Sequence, residues 1–334
     1  LMVNVVVVGA GTMGTMHSTS FARMEGVQVV GIVDIRAEYG NKLASKIGTQ
    51  AFLSLNDALT SQEVHLVDIC VPTYLHRQYV EQAADANCHV ICEKPIALTL
   101  SDANAMMDVC ERAGVKFFVG HVLRFFPEYQ KSHQLVQQGR VGDVGIVQAG
   151  RGGAFPNGWQ DWYASIEKSG TLITDMMIHD FDFLRWCFGE VKRVYAKSNW
   201  GRDLNKIDHA FVTLRFKSGV IASVEGTWAY PDGFTTSLEI AGKGGIIARH
   251  SDEEAPIHTF LREDGTNTGG VAVPESPLLK GPYYLELEHF IDCIIHDTTP
   301  LVSPHDAYKA LQISLSALQS IRTGIPVYIE EETL

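Results

Sequence analysis

The sequence predicts an α/β protein: an N-terminal Rossmann dinucleotide-binding domain followed by a C-terminal α/β domain with a largely antiparallel open sheet. Three observations carry that expectation. Short apolar runs alternate with amphipathic stretches through the first third of the chain, the pattern of parallel βαβ units. A glycine-rich turn joins the first apolar run to a helix. Beyond residue 121 the pattern changes to helical stretches and then closely spaced strands. The domain boundaries follow as 1–121 and 122–334, with the late helices packing back on the first domain.

The early strands are expected at Val3–Val8, Val27–Val33, Val64–Val71, His89–Cys92 and Lys116–Gly120. Each reads as near-continuous Val, Ile, Leu or Phe, as strands covered on both faces should. Helices are expected between them, among them Ala37–Ile47 and Ser101–Ala113. The second opens with Thr99 and Asp102 in capping-box spacing and stops at Gly114. After Gly120, helical patterns cover Glu128–Gln138 and Thr171–Phe188. Strands then follow at Val191–Ser198, Asp208–Phe216, Val220–Ala229, Thr235–Ala241 and Ile246–His250, with Lys217-Ser218-Gly219 and Lys243-Gly244-Gly245 as hairpin connectors. The polar, Gly/Pro-rich stretch Ser251–Lys280 is expected to be a long loop. Two helices close the chain, Tyr283–Ile295 and Pro304–Thr323; the latter has Ser303 at its N-cap and Gly324 just past its end.

Composition narrows the function classes. The chain has 334 residues, 46% of them hydrophobic, enough for two cores. A net charge of −12 argues against nucleic-acid binding, which needs clustered positive charge. The six cysteines form no CxxC pair, which points to free thiols and a cytoplasmic protein. Val3–Val8 ends at Gly9, too short for a membrane span or a signal core.

Gly9-Ala10-Gly11-Thr12-Met13-Gly14 follows the first strand directly and opens a helix. Gly9 serves the tight turn, Gly11 the close approach of backbone to a pyrophosphate, and Gly14 helix–strand packing. The helix N-terminus offers unpaired N–H groups to the phosphates. Asp34 ends the next strand roughly twenty residues further on, where a ribose-binding carboxylate belongs. A carboxylate accepts from a ribose 2′-OH and repels a 2′-phosphate, so NAD is the expected cofactor. Arg36 keeps NADP open as a secondary one, since a guanidinium can pair with that phosphate or stack on adenine.

Cys92-Glu93-Lys94-Pro95 follows a strand, and with the Rossmann start it resembles the glucose–fructose oxidoreductase/inositol 2-dehydrogenase (Gfo/Idh/MocA) family. Val71-Pro72-Thr73 with His76 resembles the family's loop beside the nicotinamide half. Arg124-Phe125-Phe126-Pro127 resembles its crossover, and Trp162, Ser169-Gly170 and Asp175-x-x-x-His179-x-x-Asp182 its signature helix. Tyr283-x-x-Glu286-Leu287-x-x-Phe290 resembles its late helix. The segment Asp175–Asp182 looks especially like inositol 2-dehydrogenases. The likeness spans nearly the whole chain. It implies a sugar or polyol substrate and a sheet that supports a homodimer or homotetramer. Thr171 stands where many members continue a glycine run, and Tyr163 where many carry Arg. Both positions border the substrate pocket of the family, so they leave substrate identity open.

Hydride transfer from a secondary alcohol leaves a proton that needs a base, and negative charge on oxygen that needs a donor. Asp175 and His179, at i and i+4 of one expected helix, share a face. His179 is assigned as acid–base and Asp175 as the group that orients it. Lys94, at a strand's carboxyl end, donates to the reacting oxygen. Pro95 fixes the backbone after Lys94 in a rigid turn, with the isomer of the Lys94–Pro95 bond, cis or trans, left open. Asp182 is read as orienting neighbours and Asp180 as solvated. Trp162 and Tyr283 are candidates for stacking on a sugar face. His76, His121 and Arg124 divide between ligand contact and packing. No further His/Cys grouping accompanies Asp175, His179 and Asp182, so no metal is expected. Two other classes stay open: a glycosidase using NAD transiently, and a non-catalytic dinucleotide sensor.

Overall fold

The computed structural model describes residues 2–199, 208–251 and 280–329. The loop expected over Ser251–Lys280 lies, apart from its two ends, outside them. The chain divides into two compact units, Leu1–Phe125 with Glu275–Tyr308, and Phe126–Pro274 with Lys309–Leu334.

In the first unit the elements run β1 (Val3–Val8), α1 (Thr12–Phe21), β2 (Val27–Val33), α2 (Ala37–Ile47), β3 (Ala51–Phe52), α3 (Leu55–Ser61), β4 (Leu66–Ile69), α4 (His76–Asp85), β5 (His89–Glu93), α5 (Leu100–Ala113) and β6 (Phe117–Gly120). The strands form one sheet in the order β3-β2-β1-β4-β5-β6, every pair parallel. This is the doubly wound order, which reverses beside β1 and opens a ligand crevice at the strands' carboxyl ends. The apolar runs are continuous because both faces are covered: Val5, Val6 and Val7 are wholly buried. Local chemistry sets the helix ends. Thr99 Oγ1 accepts from the Asp102 N–H, and Gly114 closes α5 in the left-handed region at φ 68°.

The second unit carries α6 (Pro127–Gln137), β7 (Val144–Ala154), α7 (Ile166–Ser169), α8 (Thr171–Asp175), α9 (Ile178–Phe188), β8 (Val191–Ser198), β9 (His209–Phe216), β10 (Ile221–Thr227), β11 (Ala229–Gly242) and β12 (Gly245–His250). The chain then continues through α10 (Pro282–Ile295), α11 (Pro304–Thr323) and β13 (Val327–Tyr328). The second sheet has the order β12-β11-β7-β10-β9-β8-β13. It is largely antiparallel, as expected, with a parallel pairing of β7 and β10.

Two features depart from the sequence reading. Strand β7 was not anticipated, because its glycines lower strand propensity. They are there for its neighbour: a β-carbon at Gly150 would meet Ser237, and those at Gly152 and Gly153 would meet the rings of Tyr230 and Phe234, all on β11. The helix expected over Thr171–Phe188 is two helices, broken at Met176–Met177. At the break the buried Met177 side chain lies against Gly226 of β10, where a β-carbon would collide with its sulfur.

Helix α10 completes the first unit's core. Tyr284, Leu287, Phe290 and Ile291 pack with Val3, Val5, Phe21 and Phe118, and the Phe290 ring stacks on Phe118 with centroids 4.8 Å apart. Among the described residues no helix is long and apolar enough to cross a membrane.

Candidate functional site

The residues singled out in the first unit gather at one edge of its sheet. Gly9 follows β1, Asp34 follows β2, Pro72 and Thr73 come shortly after β4, Lys94 follows β5, and His121 follows β6. All of these are carboxyl ends of parallel strands, the edge where open α/β sheets bind ligands.

The glycine turn is built for a phosphate. Gly9 has φ +102°, and its Cβ would overlap the carbonyl of Cys70; a Cβ on Gly14 would overlap the carbonyl of Gly9. Both glycines are therefore demanded by the chain's own packing. Gly11 is different: a Cβ there would meet no protein atom within 4 Å. Glycine at 11 thus serves the close approach of something other than the protein. Helix α1 begins there with no side-chain cap and no acidic residue in its first turn, so the N–H groups near Thr12 and Met13 and the helix dipole are left for an anion. These residues fit a dinucleotide pyrophosphate.

Asp34 is held rigidly at the end of β2. Its Oδ2 accepts from Ala10 N (2.9 Å) and Arg36 Nη2 (2.9 Å), and its Oδ1 from Arg36 N (2.8 Å) and Nε (3.0 Å). Burial opposes the charge, but these bonds from Arg36 and Ala10 hold the carboxyl below its ordinary pKa. The Arg36 guanidinium also lies over the Tyr39 ring, 4.0 Å from its centroid. Forked onto Asp34, Arg36 would have to leave a two-point ion pair to meet a 2′-phosphate, so the pair favours NAD.

The Glu93-Lys94-Pro95 turn is braced from two sides. The Lys94–Pro95 peptide is cis. Glu93 Oε2 accepts from Lys94 N at 3.0 Å. His76 is buried, with Nδ1 3.0 Å from the Pro95 carbonyl and Nε2 3.0 Å from that of Val71. Burial pushes its pKa down. The structure therefore places His76 between the Pro72-Thr73 loop and the turn that carries Lys94. His121 is likewise buried, and Arg124 donates from Nη1 to the Leu301 carbonyl at 2.9 Å, near Asp306 at 3.5 Å. Tyr283 is half-buried on α10, beside the core residue Tyr284.

In the second unit Asp175 is the last residue of α8, and His179 lies in the first turn of α9. They flank the helix break and do not share one continuous helix. Asp175 is buried and His179 half-buried. Trp162 lies in a short 3-10 segment with its ring 3.9 Å from that of Tyr163. Asp180, expected in solvent, is 2% exposed. Both of its oxygens accept from Arg151 of β7, at 2.9 Å each. Asp182 is buried as well.

Sequence reasoning missed two charged sets. Arg151 went unnoticed with its strand. His17, Asp68 and Glu93 form a buried cluster whose only sequence signal is an aspartate inside an apolar strand. His17, Asp68 and Cys70 also have ligand atoms within 4.8 Å of one another. Burial pushes the Cys70 thiol well up, so it stays protonated, and His17 Nδ1 stands 3.0 Å from Asp68 Oδ2, a hydrogen-bond distance. The cluster holds a His17–Asp68 ion pair with the Cys70 thiol 3.3 Å from the same ring nitrogen.

Comparison with known proteins agrees with this geometry. The family model described as "Oxidoreductase family, NAD-binding Rossmann fold" matches residues 3–121, and that of the GFO/IDH/MocA C-terminal domain matches 129–248. A myo-inositol 2-dehydrogenase of Thermotoga maritima is 29% identical, covering 97% of this chain and 98% of its own. A 2,7-anhydro-N-acetylneuraminate hydratase of Mediterraneibacter gnavus is 30% identical over 85% of this chain and 82% of its own. The crystal structure of a probable dehydrogenase from Thermotoga maritima superposes with a TM-score of 0.83 at 26% identity, covering 98% of this chain and 99% of the other. With one match on the doubly wound sheet and its glycine turn, and the other on the mixed sheet, the chain belongs to the GFO/IDH/MocA oxidoreductase family, with NAD as its dinucleotide.

Proposed function

We propose that the protein is an NAD-dependent dehydrogenase acting on a secondary alcohol, or in reverse a ketone, of an inositol, a sugar or a sugar derivative. The observation that carries this reading is the placing of Lys94. It follows β5 on the same sheet edge as the glycine turn and Asp34, in a turn fixed by Glu93 and His76. When bound, NAD supplies the hydride acceptor. Lys94 donates a hydrogen bond to the substrate oxygen, lowering the cost of alkoxide character. His179 takes the hydroxyl proton in oxidation and returns it in reduction, and Asp175 orients the imidazole. The relative named a myo-inositol 2-dehydrogenase supports a cyclitol as the first substrate to try. Purified protein given NAD or NADP with a panel of inositols, sugars and sugar acids is expected to produce absorbance at the reduced-nicotinamide band, more with NAD. His179→Ala is expected to lose about 10²–10⁴-fold in turnover, the usual worth of a general base. Near-wild-type turnover in that variant would remove His179 from the chemistry.

A second reading is favoured by the relative named a hydratase. Adding water involves no net oxidation, so a transient use of NAD would leave no reduced cofactor behind. The same could hold for cleavage of a glycoside. Product analysis of anhydro-sugars and chromogenic glycosides alongside the absorbance assay separates these outcomes.

A cytoplasmic homodimer or homotetramer completes the proposal. The cysteines are all free, which supports a reducing compartment. The outward face of the second sheet carries Ile146, Ile221 and Ile246 in one cross-strand row, at 56%, 38% and 63% exposure, with the half-exposed Phe211 further along β9 opposite Glu225. Such a patch marks an association surface. Light scattering is expected to give a mass two or four times 36.8 kDa, and Ile221→Asp to lower it. A monomeric mass for the unaltered protein would reject this part.

A further inference from the structure

Asp68 lies in the interior of β4, wholly buried on a central strand. His17, also wholly buried, reaches it from α1, with Nδ1 3.1 and 3.0 Å from the two carboxylate oxygens. On the other side of the ring, Nε2 stands 3.2 Å from Glu93 Oε1, an ion-pair distance at an angle short of a full hydrogen bond. The other oxygen of Glu93 accepts the Lys94 N–H. Gly120, at the end of β6, leaves room for this carboxylate, since a Cβ there would stand 3.3 Å from Oε1.

Nothing in the fold calls for charge at this place. Apolar residues of similar volume pack a central strand as well or better, and a buried ion pair is often neutral or destabilising against them. The cluster instead joins two functional parts of the first unit. Its imidazole rides on α1, the helix whose uncapped N-terminus fits a pyrophosphate, and its far carboxylate accepts the N–H of Lys94 in the turn that presents that residue.

We propose that His17 is a positioning residue: a buried imidazolium, held by Asp68, that fixes the Glu93 carboxylate and through it the Lys94 turn. This rests on the reading of Lys94 given above and assigns the group that aims it. The charged groups facing the ring are Asp68 from β4 and Glu93 from β5, with the Cys70 thiol 3.3 Å away. Burial alone would push His17 down, but Asp68 reverses this and holds it well above the ordinary histidine value. Burial opposes charge on Glu93 too, and the His17 ring and Lys94 hold that carboxyl below its ordinary value. With the folded pKa raised, the imidazolium's contribution is complete below about pH 6.5, the unfolded value. It is lost as pH rises through the folded pKa. The Lys94 turn therefore loosens at the alkaline end.

The test needs no substrate. Nitrogen NMR of labelled histidine, with His17 assigned from its disappearance in His17→Gln, reads the ring directly. Both ring nitrogens are expected to keep their protons at pH 7.5, where an ordinary histidine has lost one. A neutral ring at that pH overturns the proposal. Reductive methylation with labelled formaldehyde gives each lysine a methyl signal, and Lys94→Arg identifies that of Lys94. In His17→Gln this signal is expected to move, with NAD affinity changed by less than about threefold.

The double variant His17→Leu/Asp68→Leu guards against misfolding, because it replaces the pair with apolar bulk. It is expected to melt closer to the unaltered protein than His17→Gln does, because it leaves only Glu93 rather than two carboxylates without the imidazolium, yet still to shift the Lys94 signal. On any substrate that is turned over it is expected to lower kcat by about 10²-fold, as a small misplacement does. A stable double variant with an unmoved Lys94 signal would show the cluster to be structural only. Failure of the dehydrogenase reading would appear elsewhere, as no reduced nicotinamide from any panel substrate, and failure of the Lys94 role as full turnover in a variant lacking its amine; either would leave these two readouts intact.

Discussion

Lys94→Met is expected to lower turnover by about 10²–10³-fold, the cost of removing one preorganised donor to a developing oxyanion, while NAD binds as before. The two effects are expected to separate because the residues that fit the dinucleotide lie elsewhere, in the glycine turn and at Asp34 with its four hydrogen bonds. Met keeps the length and much of the apolar stem of lysine and removes only the ammonium. Lys94→Arg is expected to rescue little, because a planar guanidinium cannot take the place of a compact, rotating donor. The measurement is single-turnover hydride transfer beside a fluorescence titration with NAD. If transfer is slowed less than fivefold, Lys94 is not the donor; if NAD binding collapses, its role is in holding cofactor.

The second large effect concerns stability. Arg151 and Asp180 form a two-point ion pair with both side chains buried, tying α9 to β7. Arg151→Met leaves a buried carboxylate with no cation, and Asp180→Leu leaves a buried guanidinium. Each single change is expected to cost about 3–5 kcal/mol. The double change removes both charges together and is expected to recover most of that loss, since apolar replacements of such pairs are often neutral. Thermal melting of the four proteins checks this. Additive losses in the double variant would mean that the two side chains act separately and that the pair is not the unit of stability. Because Asp180 is the neighbour of His179 in the first turn of α9, the single variants are also expected to lose activity below their melting temperatures.

Much of the first unit was legible because its determinants are local. Val3–Val8, Val27–Val33 and Ala37–Ile47 stand where the sequence put them. A doubly covered strand must be apolar throughout, and a helix end needs its own cap or glycine. The glycine turn and Asp34 were legible for a similar reason, since a phosphate site at a helix N-terminus is a short-range device. What escaped was set by distant neighbours. The glycines of β7 make room for side chains on β11, so the strand carries few strand-forming residues of its own. The break at Met176–Met177 lies in a run whose helical pattern continues unbroken; only the seat at Gly226 distinguishes it. Asp180 looked like any surface acid until Arg151 was found beneath it. His17, Asp68 and Glu93 are scattered through the sequence and meet only when α1, β4 and β5 are assembled.

Helix α10 belongs to the nucleotide-binding unit although six of the seven strands of the mixed sheet, β7 to β12, intervene in the chain. An isolated fragment ending at Phe125 would leave Phe118 and Phe21 without the aromatic and aliphatic cover that Phe290 and Leu287 provide. The two halves therefore cannot be recombined by a single cut and splice. A chimaera that borrows this nucleotide half must take two stretches of gene, one on each side of the segment that carries β7 to β12.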